Sequence, residues 1–368
     1  MDPLTRRQFV SSSVLAAGGL LCTGRTMIAA PSWEKEAKYY EKLPENHVRC
    51  TLCPWQCVVK PGDRGHCDVR ANRNGTYYSL VYGQIAAHHN DPIEKKPLYH
   101  FLPGTPAFSI ATAGCNVNCK FCQNADLAQR LPEELRTVSF SPEDVVIHAK
   151  QAGCRSIAYT YNEPVIFTEY MQDIASAGQK KGIRSVVISN GFINQKPLKD
   201  LCRVIDAYKV DLKAFTEDYY EKIVGGMLKP VLDTLITLKA ENIWTEIVYL
   251  VVPTLNDNEK HLHEMVKWIY NELGPDVPLH FSRFYPKYRL LSLPPTPITT
   301  LEKAYQIGLD GGLHYVYLGN VPGHQGENTM CPSCGETVIR RVGYQIYENH
   351  IQSGKCEFCR YSIAGIWE

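Results

Sequence analysis

Clustered cysteines constrain this chain of 368 residues more than any other feature of its sequence. Eleven of the fourteen cysteines fall into three groups, in which most neighbouring cysteines are separated by only two or three residues. A disulfide framework needs widely distributed partners, usually in a chain shorter than about 100 residues. Short gaps instead bring several thiolates around one metal ion or cluster. The sequence therefore predicts metal ligation by three groups: Cys50, Cys53, Cys57 and Cys67; Cys115, Cys119 and Cys122; and Cys331, Cys334, Cys356 and Cys359.

Length and composition narrow the class of protein. The length fits one large α/β domain with appendages, or two to three ordinary domains. An apolar share of 44% and a charged share of 21% predict a sizeable core. The formal net charge of +1 gives no electrostatic footprint for nucleic acid, so we expect no nucleic-acid partner. No apolar run approaches the ~20 residues that span a bilayer, so we expect no transmembrane span.

The first thirty residues have the pattern of a twin-arginine leader. Arg6 and Arg7 are followed by a mildly apolar stretch at 14–21 and by the small residues Ala29 and Ala30. This pattern predicts that residues 1–30 lie outside the fold and that the protein is exported or attached to the outer face of the inner membrane. The alternative is a leader that stays on a cytoplasmic enzyme, because three thiolate groups would be exposed to oxidation outside.

After this leader, the pattern of residues along the chain changes twice. These changes predict three parts. Residues 31–100 form a Cys-rich N-terminal lobe, 101–322 an α/β core and 323–368 a tail like a zinc ribbon. Strands of the core are predicted at 107–112, 156–161, 185–190, 207–213, 244–252, 279–284 and 315–318. Helices are predicted at 142–152, 165–181, 230–241, 259–273 and 300–308. Strand–helix alternation repeated about six times implies parallel strands with right-handed crossovers, in a barrel or an open doubly wound sheet.

Polar residues interrupt strands that should be buried on both faces. Lys209, Asp211 and Lys213 share one face of their strand, and His280 interrupts another strand. Barrel enzymes place their chemistry at the carboxyl ends of the strands, so these residues are candidates for a ligand-filled interior. The alternative is structural: Asp211 forms a buried ion pair with a lysine.

The central cysteine group directly follows the first predicted strand of the core. Cysteines with the spacing of Cys115, Cys119 and Cys122 can hold three corners of a 4Fe–4S cube and leave one iron without a protein ligand. An open iron can chelate a small molecule, whereas a site with four thiolates mainly passes electrons or holds a fold. The spacing and its position after a strand therefore predict a reactive cluster.

This motif and the strand ends that follow it resemble the radical S-adenosylmethionine (SAM) enzymes. The resemblance implies a partial (β/α)6 TIM-like barrel in which the 4Fe–4S cluster reductively cleaves SAM to a 5′-deoxyadenosyl radical that abstracts hydrogen from a substrate. Tyr161 and Asn162 stand where the family carries two glycines. The resemblance also implies SAM-binding residues: Asn162 and Glu163 for the amino group, Ser189 and Asn190 beside the ribose, and Asp211 and Lys213 for the carboxylate or ribose.

The segments at 50–57, 64–67, 280–284 and 319–328 carry a closer resemblance, over nearly the whole chain after the leader. Together they resemble the AmmeMemoRadiSam-system radical SAM proteins, relatives of the pyruvate formate-lyase and other glycyl-radical-enzyme activating enzymes. Zinc is the default for the tail, where Arg360 replaces a glycine common in ribbons. The N-terminal group fits zinc or an auxiliary iron–sulfur cluster, with zinc preferred. Implied partners are SAM, an electron donor and an unidentified small-molecule or protein substrate. Alternatives are a glycyl-radical-enzyme activase and a non-catalytic iron–sulfur electron carrier or scaffold.

Overall fold

Eight strands form the central sheet of the computed structural model, which describes residues 34–368. Neighbours in the sheet are also neighbours in the sequence, from β8 at one edge to β1 at the other. All pairs are parallel except β1 with β2. The strands are β1 (Ala87–Pro92), β2 (Pro106–Ala111), β3 (Ser156–Tyr159), β4 (Arg184–Ser189), β5 (Ala207–Asp211), β6 (Trp244–Val251), β7 (Leu279–Arg283) and β8 (Val316–Gly319).

Helices follow the parallel strands and pack on the outer face of the sheet. They are α1 (Pro142–Gln151), α2 (Thr168–Gln179), α3 (Gln195–Cys202), α4 (Leu228–Ala240), α5 (Glu259–Leu273) and α6 (Ile298–Asp310). Helix α1 begins where the sequence predicts, because the Ser141 hydroxyl accepts from the Asp144 N–H and the Asp144 carboxylate accepts from the Ser141 N–H. Because β1 and β8 do not pair, the sheet stays open. The predicted α/β fold with an incomplete barrel is confirmed.

Most predicted elements are present within two residues of their expected ends. Helix α5 matches its predicted bounds, whereas the helix predicted at 165–181 begins with a separate 3-10 turn at Pro164–Phe167. Helix α3 and the antiparallel edge strand β1 were not predicted from the sequence. The sequence of β1 carries two histidines, an asparagine and an aspartate, so it lacks the apolar run that marked the other strands.

Short strands make up the N-terminal lobe and the tail. In the lobe they are Lys35–Glu36, Tyr40–Lys42, Val48–Cys50, Val58–Val59, Arg70–Arg73, Thr76–Ser79 and Gln84–Ile85. In the tail they are Thr329–Met330, Thr337–Val342, Gln345–Asn349, Ile351–Gln352 and Lys355–Cys356. The lobe is tied to α2 by a buried ion pair between Arg70 and Glu169. The division at residues 100 and 322 stays a prediction.

The expectation of export or membrane attachment is corrected. In residues 34–368, no helix has both the length and the apolar character needed to cross a membrane. The twin-arginine residues and the rest of the predicted leader lie outside the described residues. Nothing observed indicates export, so the leader pattern alone was too weak a basis for that prediction.

Candidate functional site

A cavity of about 580 Å³ opens at the carboxyl ends of the parallel strands. Eight of the nine residues predicted to bind the central cluster or SAM line it: Cys115, Cys119, Cys122, Asn162, Glu163, Asn190, Asp211 and Lys213. The ninth, Ser189, supports the wall from behind, because its hydroxyl donates to Glu163 Oε1 at 2.7 Å. The fold thus brings together residues spread over about 100 positions of the sequence.

The loop that carries the three cysteines is held by backbone and amide contacts. It leaves β2 through Gly114, whose φ of +87° favours glycine. The amide nitrogen of Asn162 donates to the carbonyl oxygens of Ala113 and Gly114 at 3.2 and 3.0 Å, and its oxygen accepts from the Thr112 N–H at 3.2 Å. Asn162 is therefore occupied in positioning the start of the loop. No sequence signal distinguished this role from the predicted contact with SAM.

Glu163 presents a buried carboxylate that three groups hold in place. Its Oε1 accepts from the Ser189 hydroxyl at 2.7 Å and the Val165 N–H at 3.0 Å, and its Oε2 accepts from the Asn190 N–H at 2.9 Å. Burial raises the pKa of Glu163, although these hydrogen bonds oppose the increase. The Glu163 carboxylate is held in place, poorly solvated and close to Cys115. Burial and the charge of Glu163 raise the pKa of the Cys115 thiol well above its ordinary range. A cation placed between them would be strongly favoured.

Asp211 lies between two lysines on the cavity wall. Its Oδ1 pairs with Lys209 and its Oδ2 lies 3.4 Å from the Lys213 ammonium. Burial works to raise the pKa of Asp211, but the two ammonium groups outweigh it and hold the pKa below its ordinary value. Lys213 also brings positive charge towards Cys119, where it opposes the effect of burial, which raises the pKa of that thiol to about 12. The ion pair and the cavity position, treated as alternatives from sequence, therefore coexist.

Tyr99 and His280, which line the cavity, belong to a buried polar network centred on Glu246. Glu246 accepts from the N–H groups of Tyr99 and His100 at 2.9 and 2.8 Å, and it pairs with His280 Nε2 at 2.7 Å. His280 lines the cavity. Arg283, at the end of the same strand, instead donates to the backbone oxygen of Thr296 at 2.8 Å and is absent from the cavity wall.

Three charged residues in the wall had no sequence signal: Glu94, Lys95 and Lys96. Lys96 is 2% exposed, pairs with Asp91 and lies 4.6 Å from the centre of the Tyr161 ring. Burial lowers the pKa of Lys96 to about 8, against the opposing effect of Asp91. Both Lys96 and Tyr161 line the cavity. Lys96 comes from the segment between β1 and β2, which carries no recognisable motif.

The ligand atoms of the four tail cysteines lie close enough together to hold a metal ion. The sulfur atoms of Cys331 and Cys359 are 3.6 Å apart, and those of Cys334 and Cys356 are 3.8 Å apart. A tetrahedral site with metal–sulfur bonds of ~2.3 Å has sulfur–sulfur edges of ~3.8 Å. Within residues 34–368, this is the only set of three or more potential ligand side chains whose ligand atoms all lie within 4.8 Å of one another. The donor set and its size fit one tetrahedral ion.

Two matching backbone turns build this tail site. The N–H of Gly335 donates to the Cys331 oxygen and the N–H of Arg360 donates to the Cys356 oxygen, both at 2.9 Å. Gly335 and Arg360 have φ of +77° and +66°. Arg360 therefore adopts the conformation that the glycine usual at this position would favour, which explains the departure noted in the sequence.

The N-terminal cysteines lie together but are not packed in this way. Cys50 donates its N–H to the Cys57 oxygen at 2.9 Å, and the Cys57 sulfur accepts from the His66 N–H at 3.4 Å. Cys50 and Cys53 are buried, and Cys57 and Cys67 are half-buried. Neither these four nor the central three cysteines meet the 4.8 Å criterion that the tail site satisfies.

The chain is similar to several known proteins and structures. A family model described as the Radical SAM superfamily matches residues 109–269. The uncharacterized protein MJ0808 of Methanocaldococcus jannaschii is 43% identical over 331 residues, covering 89% of this chain and 98% of that protein. The pyruvate formate-lyase 1-activating enzyme of Escherichia coli K12 is 26% identical over 156 residues, covering 41% of this chain and 63% of that enzyme. The structure of Streptococcus suis SuiB bound to S-adenosylmethionine aligns with a TM-score of 0.46 and 13% identity, covering 62% of this chain and 53% of SuiB.

Proposed function

Because the chain belongs to the radical SAM superfamily, we propose that it is an enzyme that binds a 4Fe–4S cluster through Cys115, Cys119 and Cys122 and binds SAM beside it. The observation that carries this proposal is the convergence of the three cysteines with Glu163 and Lys213 on one cavity. An electron carrier has no need for that polar set next to its cluster. The cavity volume of about 580 Å³ also falls within the range of small-molecule sites.

The residues present fit the cluster. Three thiols on one short loop supply three ligands, which leaves one corner of a cube for a bound molecule. The Lys213 ammonium stabilises the thiolate form of Cys119, which is the form that binds iron. When bound, the cluster and SAM supply a radical that abstracts a hydrogen atom, and the protein supplies position, electrostatics and exclusion of water.

The chain's own residues then have distinct tasks. Glu163, which Ser189 and Asn190 hold in place, accepts hydrogen bonds from the ammonium group of SAM. Lys213 and Asp211 offer a cation for the SAM carboxylate and an acceptor for its ribose hydroxyls. The side-chain amide nitrogen of Asn190 lies 4.0 Å from the Cys115 sulfur, so Asn190 connects this wall to the cysteine loop.

We propose a small molecule as the substrate, within the AmmeMemoRadiSam group of the superfamily. Both parts that flank the predicted core contribute to the cavity wall and narrow the space around the reacting centre. The N-terminal part contributes Lys96 and Tyr99, and the tail contributes Glu327 and Tyr344. A glycyl-radical-enzyme activase must instead admit a protein loop. The similarity to the pyruvate formate-lyase 1-activating enzyme keeps that activity as the second candidate. In the tail, we propose zinc at the four cysteines.

Binding of SAM to the reduced, iron-loaded protein tests the proposal. We expect SAM to change the electron paramagnetic resonance (EPR) spectrum of the cluster, because it ligates the open iron. Glu163→Gln should weaken SAM binding at least 10-fold, while Glu241→Gln, at the end of α4, serves as the matched control and should leave it unchanged. A cluster spectrum that saturating SAM does not alter contradicts the proposal.

A further inference from the structure

The four N-terminal cysteines have no role in the function proposed above, yet they lie against its cysteine loop. The backbone oxygen of Cys67 is so close to Gly114 that a Cβ on that glycine would lie 2.8 Å from it. The Trp55 indole N–H donates to the backbone oxygen of Asn116 at 2.7 Å. Gly114 and Asn116 flank Cys115, so the two cysteine groups are adjacent through two separate contacts.

A continuous path of backbone and side-chain contacts also connects the two groups. The His66 N–H donates to the Cys57 sulfur, and the His66 ring packs on Trp55 with 4.7 Å between ring centres. Trp55 then reaches the central loop through its bond to Asn116 and packs against Phe192, whose backbone oxygen accepts from the Asn116 amide at 2.8 Å. The aromatic rings of His66, Trp55 and Phe192 are therefore part of the path of contacts between the two cysteine groups.

The N-terminal group lacks the backbone turn that builds the tail site. In the tail, the residue after the second cysteine of each pair adopts a positive φ and donates its N–H to the first cysteine, as Gly335 does to Cys331. After Cys53 this position is Pro54, which has no N–H and whose ring holds φ near −65°. The turn therefore cannot form at Cys50 and Cys53. A proline directly after a cysteine ligand does occur in the cysteine run of bacterial ferredoxins.

The spacing of the sulfur atoms points the same way. A single tetrahedral ion requires all sulfur–sulfur distances near ~3.8 Å. A 4Fe–4S cube places its iron atoms on separate corners, so its thiolates stand farther apart. The sulfur atoms of the tail set meet the requirement of a single ion. The sulfur atoms of the N-terminal set, and those of the central set, do not all lie within 4.8 Å of one another. In this one respect, the N-terminal group resembles the central group and differs from the tail.

We propose that Cys50, Cys53, Cys57 and Cys67 bind a second iron–sulfur cluster that passes electrons to the cluster on the central loop. A low-potential one-electron donor is oxidised by one electron as the second cluster is reduced by one. The second cluster returns to its oxidised state as the central cluster gains that electron, with no bond made or broken. The direction of this flow rests on the proposed function, but the existence of the second cluster does not.

Metal counting in matched variants tests the site. Cys115→Ala/Cys119→Ala/Cys122→Ala removes the central ligands, Cys53→Ala/Cys57→Ala removes two N-terminal ligands, and Cys202→Ala is the control outside all three groups. After anaerobic loading with iron and sulfide, we expect about 8 iron atoms in the wild type and the control, and about 4 in each of the other two variants. A central variant that holds zinc and no iron overturns the proposal. If that variant does not fold, equal iron in the wild type and the Cys53→Ala/Cys57→Ala variant overturns it instead.

Electronic contact is measured by EPR after dithionite reduction. We expect the wild-type spectrum to differ from the sum of the two variants' spectra, because two adjacent paramagnetic clusters broaden each other's signals. A wild-type spectrum equal to that sum overturns the transfer of electrons between the sites. If SAM fails to alter the wild-type spectrum while the central variant still holds about 4 iron atoms, the proposed function fails and the second cluster stands.

Discussion

Replacing Asp211 with asparagine separates two effects that the structure places on one side chain. The carboxylate pairs with Lys209, which is 6% exposed, and with Lys213, which is 14% exposed. Removing one partner of a buried pair costs ~3–5 kcal/mol, because it leaves an uncompensated charge. Asp211 itself is 31% exposed, towards the cavity, so we expect the lower end, ~3 kcal/mol.

This magnitude converts into a melting temperature. Unfolding entropy of ~2.1 cal/mol/K per residue over the roughly 335 described residues gives ~0.7 kcal/mol/K. We therefore expect Asp211→Asn to lower the melting temperature of the SAM-free protein by ~4 °C. The control is Asp233→Asn, because Asp233 forms an exposed helical pair with Lys229 that is worth only ~0.3–0.5 kcal/mol. Calorimetry in the absence of SAM measures both variants.

Acidification provides a further check on the same variant. The folded-state pKa of Asp211 lies below its ordinary value, so its stabilisation is present at neutral pH and is lost as the pH falls through the folded pKa. The difference in melting temperature between wild type and Asp211→Asn should therefore shrink below about pH 4. We also expect at least 10-fold weaker SAM binding. An unchanged melting temperature at pH 7 would refute the ion-pair reasoning, and unchanged SAM affinity would refute the role in binding.

Four other substitutions give independent checks. Cys119→Ala should remove the central cluster and all SAM cleavage while circular dichroism stays unchanged, because Cys119 is buried in a loop and its truncation removes no helix or strand; full cleavage activity would contradict this. Cys356→Ser should lower the zinc content by about one equivalent and make the tail sensitive to protease, and an unchanged zinc content would refute the tail site. Glu169→Gln should destabilise the protein by ~3–5 kcal/mol in urea unfolding, because fully buried Arg70 loses its partner; a loss under ~1 kcal/mol would contradict this. Gly114→Ala should halve the yield of iron-loaded protein or worse, because its Cβ would lie 2.5 Å from Val69 Cγ1; a normal iron content would show that the loop can shift.

The core of the fold could be predicted because its signals are local. Buried parallel strands require continuous apolar runs, and α1 carries a capping box that sets its first residue. The cysteine groups were equally visible, since the ligands of each lie close together in the sequence. Strand β1 was missed because an antiparallel edge strand has one solvent-facing side and does not need an apolar run.

The site could be predicted only as a list of residues. The shared strand face of Lys209, Asp211 and Lys213 predicted an ion pair and a cavity position as alternatives. That both hold at once depends on side-chain conformations, which the sequence pattern does not encode. Lys96 was invisible because its partner Asp91 lies on the unpredicted strand. The contact between Cys67 and Gly114 joins positions far apart in the sequence, so only the folded chain reveals that the two cysteine groups are adjacent.

Reductive cleavage of SAM is the measurement that tests the central claim most directly. The full chain is loaded anaerobically with iron and sulfide, reduced with dithionite and supplied with SAM, and 5′-deoxyadenosine is quantified by chromatography. We predict that it forms in the wild type and is absent from Cys119→Ala. Production no higher than in a protein-free control, from wild-type protein with its full iron content, would contradict the account and favour an electron carrier.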